Sequence, residues 1–423
     1  MPVIFVIVFA VYATSEIRSG ADSRWTVFLA QSLLREGDFD LDEYRDIIAA
    51  QDFYFVESAD GRLVSAYPVA ISLLAAPFVA LVDPLVGTVI PVSDRLLVRG
   101  DQLVARYWTI EALIASAWVA LAAVFVYLAA RERTTTTLAM TTTTAFAFGT
   151  SAWSSASRGL WGHAPSLLFI SLAIWLLLIA PRRPALAGWA GLPLGMAVAT
   201  RPQDWIAALV LALYVALRYR RSLPGYLLSL AIGVAPAIAY TFWLYGRPYA
   251  PYSSPLQLFT AGNALVAVAG VLISPSRGLF VYSPILVLSI VGLVWRVRGR
   301  TATLLDGAFA MIVLLHGLMI VSFVNWWGGH SFGPRLFTDI LPFLMVFLAD
   351  GLEALRRLPA APRVTASAGV GLLLATSIFV HYLGANNYAV NFWSGEPVSV
   401  DVDRSRLWSI RDSQLLRWRP WIP

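Results

Sequence analysis

The chain has 423 residues, of which 58% are hydrophobic and only 13% charged, with a formal net charge of +6 and a mean hydropathy of +0.69. A soluble domain carries nearer a quarter charged residues, so this composition excludes an ordinary soluble enzyme. Absent cysteine excludes disulfides, thiolate metal sites and cysteine nucleophiles, and the positive charge is all arginine, with no lysine.

Several apolar runs approach the ~20 residues needed to cross a bilayer. The pattern predicts an all-α polytopic membrane protein, because a membrane barrel would show short alternating segments instead. Spans are expected near 2–15, 104–130, 134–152, 164–180, 185–200, 205–218, 223–245, 279–295, 303–323, 337–355 and 364–384, about eleven helices. Several are short enough to need a thinned bilayer or neighbouring protein. Tight arginine clusters at Arg131/Arg133, Arg182/Arg183, Arg218/Arg220/Arg221, Arg296/Arg298/Arg300 and Arg356/Arg357/Arg363 occupy every second loop. The positive-inside rule makes those loops cytoplasmic and places the tail 385–423 outside. Excess arginine is therefore topology, and no nucleic-acid-binding motif appears. The first span, PVIFVIVFAVYAT, has the length of a signal-peptide h-region but no basic n-region, and residue 22 falls outside on either reading. The chain divides into a transmembrane domain, 1–384, with large outer loops at 16–103 and 246–278, and an outer tail, 385–423.

The first outer loop carries GADSRW, an acidic GDFDLDEYRD, an aromatic QDFYF and the apolar YPVAISLLAAPFVALV. The last is short and starts at proline, as an interfacial or re-entrant helix does. Asp22 is followed by SRWTVFLAQSLLREGD, in which Trp25, Phe28, Leu29 and Leu33 keep helical spacing. An amphipathic helix there would lie along the membrane and hold Asp22 at headgroup level. A carboxylate at such a boundary is either solvated and inert or a catalytic group. The run TTTTLAMTTTTAF (134–146) reads as structural, since threonines bond back to helix carbonyls and pack closely.

Further along, His163 opens a span in LWGHAPSLLF, and Arg201 ends one in ATRPQD on the same face. Each has a bland reading, a helix-end hydrogen bond and a snorkelling cation. In SPSRG, Arg277 beside serines and glycine has the makings of a phosphate site, although the same residues also make turns. NWWGGHSFGPR (325–335) is the densest polar and aromatic turn. Trp326 and Trp327 could form an interfacial belt, but a belt does not need Gly-Gly and Gly-Pro, which permit close backbone approach. Arg335 and Asp339, at i and i+4, are expected to pair. His316, in mid-span, is the one feature favouring a transporter or lipid flippase; a neighbouring helix is its expected partner. A non-catalytic lipid-binding protein is a further alternative. Arginines, a carboxylate and a histidine on one face suit the holding of a lipid-phosphate head group.

These residues resemble the GT-C superfamily of polytopic glycosyltransferases, in particular the family-39-like branch of aminoarabinose and protein mannosyltransferases. The likeness runs through Asp22-Ser23-Arg24-Trp25, AQSLLREGD with Gly37 and Asp38, YPVAISLLAAPF, SPSRGLFVYSPIL and WWGGHSFGPR. It implies that Asp22 is the catalytic aspartate, that Arg24 and Tyr67 lie near it, and that His163 stands where other branches place a second aspartate. Ser23 occupies the position of a usual glutamate, which leaves a divalent metal open; no other cofactor is implied. The implied donor is a polyprenyl-phosphate sugar, used on the outer face of a bacterial inner membrane, with a lipid, glycan or protein acceptor. Asp22 would take the proton of an acceptor hydroxyl in an inverting displacement. Arg277, Arg335 or Arg201 would stabilise the leaving phosphate, Trp326 and Trp327 would meet the sugar or lipid, and His330 would face substrate.

Overall fold

The computed structural model describes residues 1–18, 22–50, 55–59, 61–92, 102–248 and 264–418. It is an all-α polytopic membrane protein with helix over every predicted span. Four helices are long and apolar enough to cross a membrane by length and composition: Gln102–Arg131, Arg220–Tyr245, Leu304–Val321 and Ala360–Asn386. The Gln102–Arg131 helix is about 45 Å long at the usual rise and is buried along most of its length. The remaining apolar helices are shorter. They include Pro2–Ala13, His163–Ile179 and the Ala185–Thr200 segment.

The local causes are legible. Thr135 caps the Thr136–Phe148 helix, and Thr141, Thr142 and Thr143 each bond the carbonyl four residues back. These hydroxyls are thus satisfied within their own helix. Gly292 and Gly351 let the Val287–Arg298 and Leu341–Arg356 helices touch backbone to backbone: a Cβ on Gly292 would fall 1.9 Å from the Phe347 carbonyl. Small residues at such crossings replace the hydrophobic drive that lipid does not supply.

The stretch after Asp22 forms a helix, Thr26–Arg35, packed against Ala70–Val82 and Gln102–Arg131. Trp25, Phe28 and Leu29 are buried as their spacing predicts, but so is every residue from Thr26 to Ser32. The helix is enclosed in protein rather than laid on a surface. Two elements were not expected. Val56–Ala59 and Arg62–Ser65 pair as an antiparallel hairpin, and the segment 246–278 is not all loop, since Ala264–Ile273 is helical. Residues 51–54 of the aromatic patch, Gly20 and Ala21 of GADSRW, and 249–263 of the second large loop lie outside the described residues.

The arginine-rich loops gather at one end of the bundle. There Asp306 accepts from Arg133 at 2.6 Å and from Arg296 at 2.9 Å, and also closes a capping box with Thr303. Asp350 lies 3.7 Å from Arg133, and Glu353 bonds Thr134, Arg356 and Arg357. This knot ties four helices at the end opposite Asp22. At the Asp22 end, the tail folds back on the NWWGGHSFGPR turn through two short 3-10 turns, Arg404–Trp408 and Gln414–Trp418.

Candidate active site

Asp22 sits between the first helix and the Thr26–Arg35 helix. Its Oδ2 accepts from Arg335 Nη1 at 2.5 Å, and the two side chains are only 19% and 14% exposed. The Tyr67 hydroxyl also bonds the Asp22 carboxylate. Burial pushes that carboxyl up, but the Arg335 charge and hydrogen bond, the Tyr67 bond and the His163 charge outweigh it, leaving Asp22 below its ordinary range. It is ionised at neutral pH. The Arg335 guanidinium lies over the Trp161 ring, 4.3 Å from its centroid. Such a contact holds the cation with about 2 kcal/mol when desolvated.

Arg335 and Asp339 do not pair. The segment Arg335–Ile340 is a 3-10 helix, in which each residue turns by about 120°, so i and i+4 diverge. Asp339 instead accepts from His163 Nδ1 at 2.7 Å and from Arg201 Nε. With the carboxylate as acceptor, Nδ1 carries the proton, which fixes the imidazole tautomer when the ring is neutral. Gly162, just before His163, permits this approach: a Cβ there would lie 2.7 Å from the Thr200 carbonyl, next to Arg201. Pro202 ends the helix that delivers Arg201. Asp204 is buried beside this group and accepts from Ser166 at 2.7 Å. Burial, with the Asp339 charge adding to it, raises the Asp204 carboxyl well above its usual range.

The structure thus brings Asp22, Tyr67, His163, Arg201 and Arg335 to one end of the bundle as two adjoining clusters. Arg24 lies next to them, its guanidinium 5.8 Å from the Trp108 ring centroid. Other predicted residues are used elsewhere. Arg277 is wholly buried and bonds the carbonyls of Ser276, Trp327 and Gly329 and the side chains of Ser394 and Gln414. Its guanidinium is taken up by protein, which argues against the phosphate role expected from SPSRG. Trp327 is 2% exposed; its Nε1 bonds Asp401 and its face is covered by Arg404. Trp326 packs on Gly270 of the Ala264–Ile273 helix. His330 bonds Ser399 of the tail at 2.8 Å. These three side chains meet the tail or a neighbouring helix rather than Asp22. His316 bonds the Leu336 carbonyl at 3.1 Å, the neighbour contact expected of it.

Trp161, Asp204 and Ser166 were not singled out from sequence. The only signal for Trp161 was its place in LWGH, one of several tryptophan-bearing loops. Among the described residues, no three His, Asp or Glu side chains converge as a metal site.

No protein-family model and no curated protein sequence matches the chain. Solved structures do match it as a fold. ArnT from Cupriavidus metallidurans, bound to undecaprenyl phosphate, aligns with a TM-score of 0.55 at 13% identity, over 99% of this chain and 72% of that one. The oligosaccharyltransferase of Archaeoglobus fulgidus aligns in its apo form at 0.50 and 11% identity, over 100% and 61%. The same archaeal enzyme tethered to an acceptor peptide aligns at 0.51 and 11% identity, over 99% and 59%. The fold is GT-C. The chain spans about three-fifths of the archaeal enzyme, and its GT-C unit takes in the tail as well as the helices.

Proposed function

We propose that this GT-C chain is a membrane glycosyltransferase that moves a sugar from a polyprenyl-phosphate donor to an acceptor hydroxyl. The observation that carries the reading is the Asp22–Arg335 pair, a carboxylate and a guanidinium held in contact at one end of the bundle. The likeness to ArnT bound to undecaprenyl phosphate supports the donor class. By the positive-inside rule that end lies outside, and the reading sets it on the periplasmic side of a bacterial inner membrane. The transmembrane domain 1–384 holds the site, and the tail after it packs on the turn that leads to Arg335.

The donor phosphate draws Arg335 into a shared contact, and Asp22 is released from part of its ion pair. The acceptor hydroxyl oxygen then attacks the anomeric carbon, and its proton passes to Asp22. The bond from that carbon to the phosphate oxygen breaks with inversion, and the electron pair leaves on the lipid phosphate. Arg335, steadied on Trp161, stabilises the new charge, with Arg201 and His163 in support. Tyr67 orients the carboxylate. Arg24 belongs to the same neighbourhood. Arg277, Trp326, Trp327 and His330 are assigned to the framework that holds the loop of Arg335.

The test uses protein in lipid nanodiscs and a panel of radiolabelled polyprenyl-phosphate sugars, with release of lipid phosphate followed. Turnover with one donor, abolished in Asp22→Asn while donor binding persists, is the expected result. No turnover with any donor, and binding indifferent to Asp22, would replace this reading with a polyprenyl-linked carrier or flippase.

A further inference from the structure

Glu111 lies on the Gln102–Arg131 helix and is 1% exposed. Its Oε2 accepts from Ser23 Oγ at 2.6 Å. The Leu160 backbone N–H and the Arg24 charge also act on this carboxylate, while Oε1 has no hydrogen-bond partner among the described residues. Arg24 in turn faces Trp108, three residues earlier on the same helix. Ser116, five residues further along it, bonds the Ser157 carbonyl.

Ser23 directly follows Asp22, and Leu160 directly precedes Trp161, whose ring carries Arg335. One buried carboxylate therefore lies one residue from Asp22, through Ser23, and one residue from Trp161, the ring under Arg335, through Leu160. Its two contacts come from segments far apart in sequence, 22–26 and 157–161, which Arg335 also bridges through Asp22 and the Trp161 ring. A carboxylate inside an apolar bundle is costly, and an apolar residue of similar volume would fill the space without that cost. A mere filler needs neither the short Ser23 bond nor a position opposite Leu160.

We infer that Glu111 is a positioning residue for the proposed transfer: through Ser23 it sets the approach of Asp22, and through Leu160 the platform under Arg335. The inference rests on the transferase reading for its kinetic consequence; the linkage rests on the Ser23 bond and on the Leu160 N–H beside the carboxylate.

The linkage is read first, by hydrogen–deuterium exchange of the full chain in nanodiscs. Glu111→Gln keeps the shape but presents an amide where the carboxylate met Leu160. It should speed exchange in both 22–26 and 157–163, whereas Ser23→Ala should affect 22–26 alone. Should Glu111→Gln not fold, Glu111→Leu, which removes the buried carboxyl altogether, takes its place. No change in either segment, or an equal change throughout the chain, would overturn the linkage. Turnover is read next. Glu111→Gln and Ser23→Ala should each lower kcat about 10- to 100-fold, as small misplacements of reacting groups do, with donor KM nearly unchanged. The double variant should be no worse than the poorer single, since both act through one bond. A wild-type kcat in Glu111→Gln, or additive losses, would overturn the positioning role. A wild-type protein inactive on every donor would instead sink the transferase reading and leave exchange to decide Glu111.

Discussion

Replacing Asp22 with asparagine separates its pairing with Arg335 from its role as base. The contact is 2.5 Å long and mostly buried. At a charge separation of ~4 Å and an effective dielectric of ~20, the attraction is about 4 kcal/mol. Removing one partner of a buried pair costs about 3–5 kcal/mol, and the residual exposure points to the lower end of that range. The Trp161 face still holds Arg335 in the variant, so the cation stays near its place without its anion. In wild type an incoming lipid phosphate must compete with Asp22 for that cation. In Asp22→Asn it does not. Affinity for polyprenyl phosphate should therefore rise, on the order of tenfold if about 1.4 kcal/mol of the competition is recovered. Turnover should fall by about 10²- to 10⁴-fold with the base gone. The ligand-free variant should also unfold at lower temperature than wild type, and polyprenyl phosphate should close much of that gap. Equilibrium binding of labelled polyprenyl phosphate to nanodisc-embedded protein, with lipid-phosphate release on the same samples, measures both. Weaker binding in Asp22→Asn would refute the competition, and retained turnover would refute the base.

Asp339→Asn leaves His163 and Arg201 without their shared anion and should cost about 3 kcal/mol in thermal unfolding, with turnover falling as well; an unchanged midpoint would disprove the pairing. Asp204 titrates the other way from Asp22. Its folded form holds a proton that the unfolded chain releases near pH 4, so stability falls as pH rises from there through the raised folded value. Asp204→Asn should gain on wild type as pH increases across that window, checked by unfolding midpoints from acid to alkaline pH, and a pH-independent difference would disprove it. Gln414 is buried and accepts from Arg277, Tyr282 and the Gly333 N–H while donating to the Ser331 and Val390 carbonyls. Gln414→Ala should cost about 2–4 kcal/mol and loosen the turn before Arg335, seen as faster hydrogen exchange over 327–335; exchange confined to the tail would contradict this.

The helical framework was legible because its signals are local. Apolar length, proline and glycine punctuation, and arginine alternation mark each span from Pro2–Ala13 to Ala360–Asn386. The short helix after Asp22 was visible for the same reason, in the spacing of Trp25, Phe28 and Leu29. The hairpin was missed although an Asp-Gly dipeptide separates its strands in sequence, the residue pair that two-residue hairpin turns favour. Of the residues singled out, Asp22, Tyr67, His163, Arg201 and Arg335 come together, but their pairings were not legible. Arg335 meets Asp22 across 313 positions, and no periodicity reports such a contact. The i,i+4 rule paired Arg335 with Asp339 because it assumes an α-helix, and the Gly-Pro sequence before them leads into a tighter coil. Arg277 looked like a phosphate ligand because guanidinium, serine and glycine are the same groups that bury an arginine among carbonyls. The tail that claims it lies 137 residues away at Gln414.

The 3-10 coil from Arg335 to Ile340 acts as a two-pronged fitting. One prong meets Asp22 and the other meets His163 and Arg201, about 8 Å apart along the axis at the usual rise. Their angular offset is a matter of counting, since each residue contributes a third of a turn. A single inserted or deleted residue between 335 and 339 would swing the second prong by that third of a turn and leave the first where it was. The register of five consecutive residues thus meshes the two clusters like teeth on one gear, and a pull on Arg335 by a bound phosphate is also a twist on Asp339.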